Sequence, residues 1–263
     1  MTKKNILILG DGFLGNGVFK NLSQKFNKKI FNRKKIIFFL KNEDKFIKYL
    51  LKTKIKFIIN CIGNTKKNLD LSEYIEPNIK IPTKILKIIK NKKILFVNFA
   101  SQDEDSVIKF FENENYPENS KFNYAISKYI FTIILKNNFF NNYILNLKIP
   151  IIFGYKSPKH MLYGEAEEKN YYNKFFTIKN PNFYNNFIFM GDFVKVVENY
   201  LKINKPKKYR FDIISNNKPQ KVYDFIKLHF PDLKIKLKSK LKQKIKINKT
   251  LKTKNKFIIN YFK

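Results

Sequence analysis

The sequence predicts an α/β fold: a doubly wound parallel sheet carrying a small C-terminal lobe. Three observations carry that prediction. Strand-length apolar runs alternate with helical spacing through residues 1–153, a glycine-rich turn joins the first run to the first helix, and the pattern loosens after Pro150. A chain of 263 residues suits one such domain with a reduced second lobe. Strands alternating with helices imply parallel pairing through right-handed crossovers.

The elements follow in order. Asn5–Leu9 is an apolar run of strand length, and Phe13–Phe26 has helical spacing opened by glycines. Lys29–Arg33 reads as a short second strand and Ile36–Leu40 as a third. Glu43–Leu51 is expected to be helical, Ile55–Asn60 a strand, Ile79–Lys90 a helix and Ile94–Phe99 a strand. Asn123–Lys136 reads as a helix and Tyr143–Ile149 as the strand after it. Residues 154–186 read as loop. Phe187-Ile188-Phe189 precedes a helix over Asp192–Leu201, and Val222–His229 is another short helix. From Leu233 to Asn248 apolar residues alternate with Lys, which suits a lysine-protected edge strand or an amphipathic surface segment. The expected division is a nucleotide-binding domain over 1–153, completed by 187–203, and a partly interleaved substrate lobe over 154–263.

Composition bounds the function classes. The longest apolar stretches are strand-length and broken by Lys, so no transmembrane segment is expected, and no signal peptide is visible. One Cys excludes an internal disulfide and a cysteine metal cluster, and the two His are isolated, so no metal site is expected. These features point to the cytoplasm. The net charge of +34 has two readings. A polyanion partner, nucleic acid or membrane, is one. The other is compositional drift, since an AT-rich genome yields this excess of Lys, Asn, Ile and Phe through its codons. The lysines are spread over the chain rather than gathered in a block, which favours drift, and no specific nucleic acid is expected.

Gly10-Asp11-Gly12-Phe13-Leu14-Gly15-Asn16-Gly17 follows a strand and opens a helix, the context a dinucleotide fingerprint requires. Gly10 permits a tight turn, Gly12 lets backbone approach a pyrophosphate, and Gly15 lets helix and strand pack closely. Phe13 and Leu14 bring N–H groups to the helix start, where the dipole holds phosphate charge. The chain has eight glycines, and four lie here, so the cluster needs a local cause. At the end of the second strand an acidic residue would bind the ribose hydroxyl of NAD(H). Arg33 and Lys34 stand there instead, which favours NADP(H).

Tyr124 and Lys128 lie four residues apart on a helix, one turn along the same face. A cation beside a phenol favours phenolate and suits acid/base chemistry. The same spacing recurs at Tyr155/Lys159 and Tyr223/Lys227 in a chain with 15 Tyr, so position must decide. Tyr124 sits between two core strands, and Ser101 lies at the carboxyl end of Ile94–Phe99, where ligands bind in open α/β sheets.

On these residues the chain resembles the extended short-chain dehydrogenase/reductases, the NAD(P)-dependent epimerase/dehydratase group, whose nucleotide-binding domain is a Rossmann fold. Ile6–Gly17 looks like the cofactor loop of that family. Ile58-Ile59-Asn60-Cys61-Ile62-Gly63 looks like its fourth-strand motif along the cofactor, and Asn78 matches a recurring structural Asn. Phe96–Ser101 resembles the strand that delivers the catalytic Ser or Thr. Leu147-Lys148-Ile149-Pro150-Ile151-Ile152-Phe153-Gly154 resembles the segment beside the nicotinamide, with Lys148 where Arg is usual, and Phe187–Val194 resembles the return segment.

The resemblance implies that Tyr124 is the general acid/base, that Lys128 holds the nicotinamide ribose and depresses the phenol, and that Ser101 bonds the substrate oxygen. It places Gly10, Gly12, Phe13, Leu14, Gly15, Arg33, Cys61, Ile62, Gly63, Pro150 and Ile151 with Tyr124 and Lys128 along the cofactor. The family acts largely on nucleotide sugars, and dimers through two helices are common in it, so a homodimer is compatible with the reading. The family's 4,6-dehydratases carry Thr-Asp-Glu where this chain has Ser101-Gln102-Asp103-Glu104, and either register spoils that set. The short lobe favours a nucleotide-4-keto-sugar reductase, with an epimerase as alternative. A non-catalytic NADP(H) sensor or nucleic-acid binder of the same fold is the reading from a different class. Cys61 reads as a buried small residue, His160 as solvated, His229 as a helix-end cation, and Glu165, Glu167 and Glu168 as an acidic island that lines the cleft or balances charge.

Overall fold

The computed structural model describes residues 3–66, 69–113, 122–202, 207–216 and 218–238. The chain divides into two units, Met1–Ile149 with Met190–Asp212, and Pro150–Phe189 with Ile213–Lys263.

The first unit is a Rossmann-like α/β fold. Its strands are β1 (Lys4–Leu9), β2 (Phe26–Phe31), β3 (Ile55–Asn60), β4 (Leu95–Ser101), β5 (Tyr143–Ile149) and β10 (Tyr209–Ile213), in the sheet order β10-β5-β4-β3-β1-β2. The pairs among β1 to β5 are parallel. Helices α1 (Phe13–Asn21), α2 (Arg33–Lys41), α3 (Glu43–Lys52), α4 (Leu71–Ile75), α5 (Ile81–Ile88), α6 (Glu104–Asn113), α7 (Phe122–Asn137) and α9 (Met190–Leu201) belong to this unit. On one face Leu7, Leu9, Ile58 and Phe96 pack with Ile36, Phe46, Ile85, Phe131 and Leu135 from α2, α3, α5 and α7. Ile6 and Ile8, pointing the other way by strand alternation, are equally buried.

The third strand expected at Ile36–Leu40 is instead α2. Asn32 Oδ1 accepts the Lys35 N–H at 2.9 Å, capping the helix. Ile36, Phe39 and Leu40 then fall on one buried face by helical spacing, while Phe38 is 49% exposed. The consequence is topological: among the described residues nothing pairs outside β2, and the sheet ends there. The chain runs outward from β1 to β2 and returns past β1 to β3. The order therefore reverses between β1 and β3, and such a switch point is where open α/β sheets leave a ligand crevice.

Three buried asparagines tie the centre of the sheet. Asn60, Asn98 and Asn146 stand in register on β3, β4 and β5. Asn60 Nδ2 donates to Asn98 Oδ1 at 2.9 Å, and Asn98 Nδ2 donates to Asn146 Oδ1 at 2.8 Å. Asn98→Leu would leave Asn60 and Asn146 with unpaired amide groups inside the sheet, and it is expected to cost about 2–4 kcal/mol in urea denaturation. A loss below about 0.5 kcal/mol would show that the ladder contributes little.

The second unit holds β6 (Ile151–Phe153), α8 (Leu162–Tyr171), β7 (Phe176–Ile178), β8 (Tyr184–Asn185), β9 (Phe187–Phe189), β11 (Gln220–Lys221), α10 (Val222–His229) and β12 (Ile235–Leu237). The strands form three short pairs: β6 with β9, β7 with β12, and β8 with β11. Its core gathers Phe153, Ala166, Phe176, Phe187, Phe225, Ile226 and Phe230, with Phe187 and Phe225 stacked at 3.8 Å. Residues 154–186, expected as loop, contain α8. Its Gly164 lies so close to the Ser157 and Pro158 carbonyls that a Cβ would sit 2.3 Å from the Ser157 oxygen. The alternating stretch from Leu233 to Asn248 begins with β12 on β7, and its part beyond residue 238 lies outside the described residues.

Candidate active site

The glycine loop lies at the switch point. Gly10 has φ 97°, and a Cβ on it would come within 2.8 Å of the Cys61 carbonyl oxygen. Its N–H donates to the Phe31 carbonyl at 2.9 Å, while the Cys61 N–H donates to Leu9 O at 2.9 Å. The loop is thereby laced to both neighbouring strands. A Cβ on Gly15 would lie 1.8 Å from Gly10 O, so helix and loop touch backbone to backbone. Gly12 differs: a Cβ there would meet nothing within 4 Å. It is the N-cap of α1, with no side chain capping the helix and no acidic residue in the first turn. An open, backbone-only helix start with its dipole unneutralised fits the pyrophosphate of a dinucleotide. Phe13 and Leu14 are the first residues of α1 and are partly exposed.

Cys61, Ile62 and Gly63 leave β3 across the switch point from this loop. The Ile62 N–H donates to Asn60 Oδ1 at 3.3 Å. Asn78 lies in a π-helical turn, Glu76–Lys80, between α4 and α5. Its Oδ1 accepts the Asn64 N–H at 2.8 Å, and its Nδ2 donates to Ser127 Oγ at 2.8 Å. One buried amide thus pins the β3 loop to α7.

Ser101 ends β4, and Tyr124 and Lys128 lie on α7. The Ser101 hydroxyl lies beside the Tyr124 phenol and favours its ionised form. Tyr74 of α4 packs its ring 5.9 Å from that of Tyr124. Lys128 is 8% exposed and faces Glu104 and Cys61. Cys61 abuts Gly10 and Gly15 of the glycine loop and faces Lys128, while Ser101 lies beside Tyr124, one helical turn before Lys128 on α7. Pro150 and Ile151 open the second unit directly after β5, where the Ile151 N–H donates to Asn186 O at 3.2 Å. Arg33, Lys34 and Lys35 form an exposed first turn of α2, next to the β2 end that pairs with the loop.

The electrostatics differ from the expectation of a depressed phenol. Burial holds the Tyr124 hydroxyl well above the usual tyrosine range, although the residue as a whole is partly exposed. Asp103, Glu104 and Tyr74 push it further up, and the Ser101 hydroxyl opposes them. Burial pulls Lys128 down, with Glu104 and Cys61 opposing. Burial raises the Cys61 thiol far above its ordinary range, although the residue, expected to be buried, is partly exposed. Sequence reasoning missed Glu104 as a site residue. The Ser-x-x-Glu spacing of Ser101 and Glu104, ahead of Val107 and Phe110, was the signal that could have found it.

A glycine loop at the β1/β3 switch point of a Rossmann-like sheet, with Ser101 beside Tyr124 at the carboxyl end of β4, is the arrangement of the dinucleotide-binding class of α/β protein. The chain belongs to the NAD dependent epimerase/dehydratase family, which matches residues 6–180. It is similar in structure to a dTDP-4-dehydrorhamnose reductase from Bacillus anthracis in complex with NADP, at 15% identity and TM-score 0.70, covering 89% of this chain and 83% of that one. It is similar to a UDP-N-acetylglucosamine 4-epimerase from Methanobrevibacter ruminantium in complex with UDP-N-acetylmuramic acid, at 16% identity and TM-score 0.68, covering 92% and 87%. A UDP-glucuronic acid 4-epimerase from Bacillus cereus, in complex with UDP-glucuronic acid and NAD, matches at 13% identity and TM-score 0.69, covering 89% and 85%. No curated protein matches the chain in sequence. Among the described residues, no helix is long and apolar enough to cross a membrane.

Proposed function

We propose that the protein is an NADPH-dependent reductase acting on a nucleotide-4-keto sugar. The observation that carries this reading is the Ser101–Tyr124 hydroxyl pair with Lys128 one turn along α7, joined through Cys61 to the glycine loop. Bound along that loop, the cofactor supplies a hydride to the carbonyl carbon. Tyr124 gives its proton to the carbonyl oxygen, which Ser101 holds by a hydrogen bond. Lys128 stabilises the phenolate that remains.

The three bases at the start of α2 favour NADPH, the usual reductant, as the cofactor. Cations at a helix N-terminus oppose its dipole, so a turn carrying Arg33, Lys34 and Lys35 and no acidic residue favours a bound anion such as the 2′-phosphate of NADPH.

Two measurements test this reading. Purified protein is expected to consume NADPH when given a nucleotide-4-keto sugar. Conversion between sugar epimers with no net cofactor consumption would replace it with the epimerase reading. Arg33→Ala combined with Lys34→Ala is expected to weaken NADPH binding about tenfold and to change NADH binding less than about twofold. Equal losses for both cofactors would place the phosphate contact elsewhere.

A further inference from the structure

Lysine extends over the whole chain, but its density varies. Residues 25–52 hold ten Lys or Arg and two acidic residues, so over a third of this segment is basic, against about a fifth of the chain. The fold gathers the segment at one edge of the first unit, as the outermost strand β2 and the helices α2 and α3. Ring contacts of Phe31 with Phe39 at 5.3 Å and with Tyr49 at 5.2 Å hold the three elements together.

Helical spacing sorts the side chains. In α2, Ile36, Phe39 and Leu40 are buried, which turns Phe38 and Lys41 outward. In α3, Phe46 and Leu50 are buried, which turns Lys45, Lys48 and Lys52 outward as one stripe. Lys45 Nζ stands 5.6 Å over the Phe38 ring, so the two outward faces meet. Phe39 braces that ring edge-on at 5.4 Å, and Phe38 remains 49% exposed. The four lysines are exposed, and among the described residues none of them is in an ion pair. The acidic neighbours are engaged elsewhere. Glu43 is bonded to Lys84 at 3.2 Å, and Asp44 stands in the first turn of α3, where the helix dipole favours it.

We propose that this face of α2 and α3 binds single-stranded nucleic acid, with Lys41, Lys45, Lys48 and Lys52 on the phosphates and a base stacked on Phe38. Charge complementarity carries the assignment. Unneutralised cations beside an exposed, braced ring are the combination that tracks a flexible phosphate backbone and stacks its bases, whatever their sequence. A duplex keeps its bases stacked inside and would leave Phe38 unused. A lipid surface takes up apolar side chains as well as charge, and the large ones exposed on these helices are Phe38 and Leu51. Arg33 and Lys34, which the proposed reaction assigns to the cofactor, lie outside this set, so the interface stands independently of that reaction.

The full chain is titrated with a labelled oligouridylate of about twenty nucleotides over a series of salt concentrations. Micromolar binding that weakens steeply with salt is expected. Combining Lys41→Ala, Lys45→Ala, Lys48→Ala and Lys52→Ala should lower the logarithmic salt slope by about three and weaken binding about tenfold or more. Phe38→Ala should weaken binding about tenfold and leave the slope unchanged. A control with Lys240→Ala, Lys242→Ala, Lys244→Ala and Lys246→Ala removes the same charge elsewhere, and should weaken binding less than about threefold. Matching thermal melts show that the variants are folded. Should the first fourfold variant melt early, Lys48→Ala with Lys52→Ala replaces it, with about half the change in slope expected. Equal losses in the two fourfold variants would make binding a matter of net charge and overturn the proposal. Unchanged affinity in Phe38→Ala would overturn it too. So would unmodified protein that leaves the oligonucleotide free and sediments with vesicles containing phosphatidylserine.

Discussion

Tyr124→Phe is expected to lower turnover by about 10³-fold or more while NADPH binds nearly as before. The substitution removes one oxygen and keeps the ring that packs against Tyr74. The lost oxygen is the proposed proton donor and the partner of the Ser101 hydroxyl. Removing a buried phenol whose environment resists ionisation imposes no new burial cost, so the melting temperature should hardly move. Steady-state kinetics with a nucleotide-4-keto sugar, alongside a fluorescence titration with NADPH, separate the two effects. Full turnover in the variant would remove Tyr124 from the mechanism. A parallel loss of NADPH affinity would make it a binding residue instead.

The glycine loop supports a second large effect, in which two neighbouring glycines behave differently. Gly15→Ala would drive a Cβ to 1.8 Å from Gly10 O, backbone against backbone, with no flexible side chain able to yield. It is expected to destabilise the protein by about 2–3 kcal/mol and to abolish cofactor binding with the deformed loop. Gly12→Ala meets nothing within 4 Å, and its φ of −71° suits any residue. Its stability should be unchanged, yet NADPH affinity should fall about tenfold or more, because the Cβ occupies the space through which the pyrophosphate reaches the helix start. Thermal melts and cofactor titrations of both variants check this. If Gly12→Ala binds NADPH normally, the pyrophosphate lies elsewhere.

What the sequence revealed depends on how local each signal is. The strand Asn5–Leu9 and the loop after it were legible because glycine is scarce and clustered. Ile36–Leu40 misled because five consecutive apolar residues fit a strand or a buried helix equally well. The deciding feature was the Asn32 cap just before them, and with it the sheet lost its outer strand. β10 shows the opposite difficulty. Tyr209, Phe211 and Ile213 alternate with Arg210 and Asp212, but the strand is short and its neighbour β5 lies far back in the chain.

The site was legible as a set of residues and less so as a set of charges. Ser101 lies beside Tyr124, whereas Lys128, one turn along α7, faces Glu104 and Cys61. The phenol moved the other way because enclosure, Asp103 and Glu104 act on it more strongly than the Tyr–Lys spacing foretold. Such enclosure depends on how α4, α6 and α7 pack, which no spacing rule contains.

Transfer of label from NADPH deuterated at the hydride position is the most direct test of the central claim. Incubated with a nucleotide-4-keto sugar and this protein, the labelled cofactor should be consumed in step with product. Deuterium should appear at the carbon that bore the carbonyl, and Tyr124→Phe should suppress the transfer. Product without deuterium, or sugar inversion with the cofactor unconsumed, would contradict the reductase assignment.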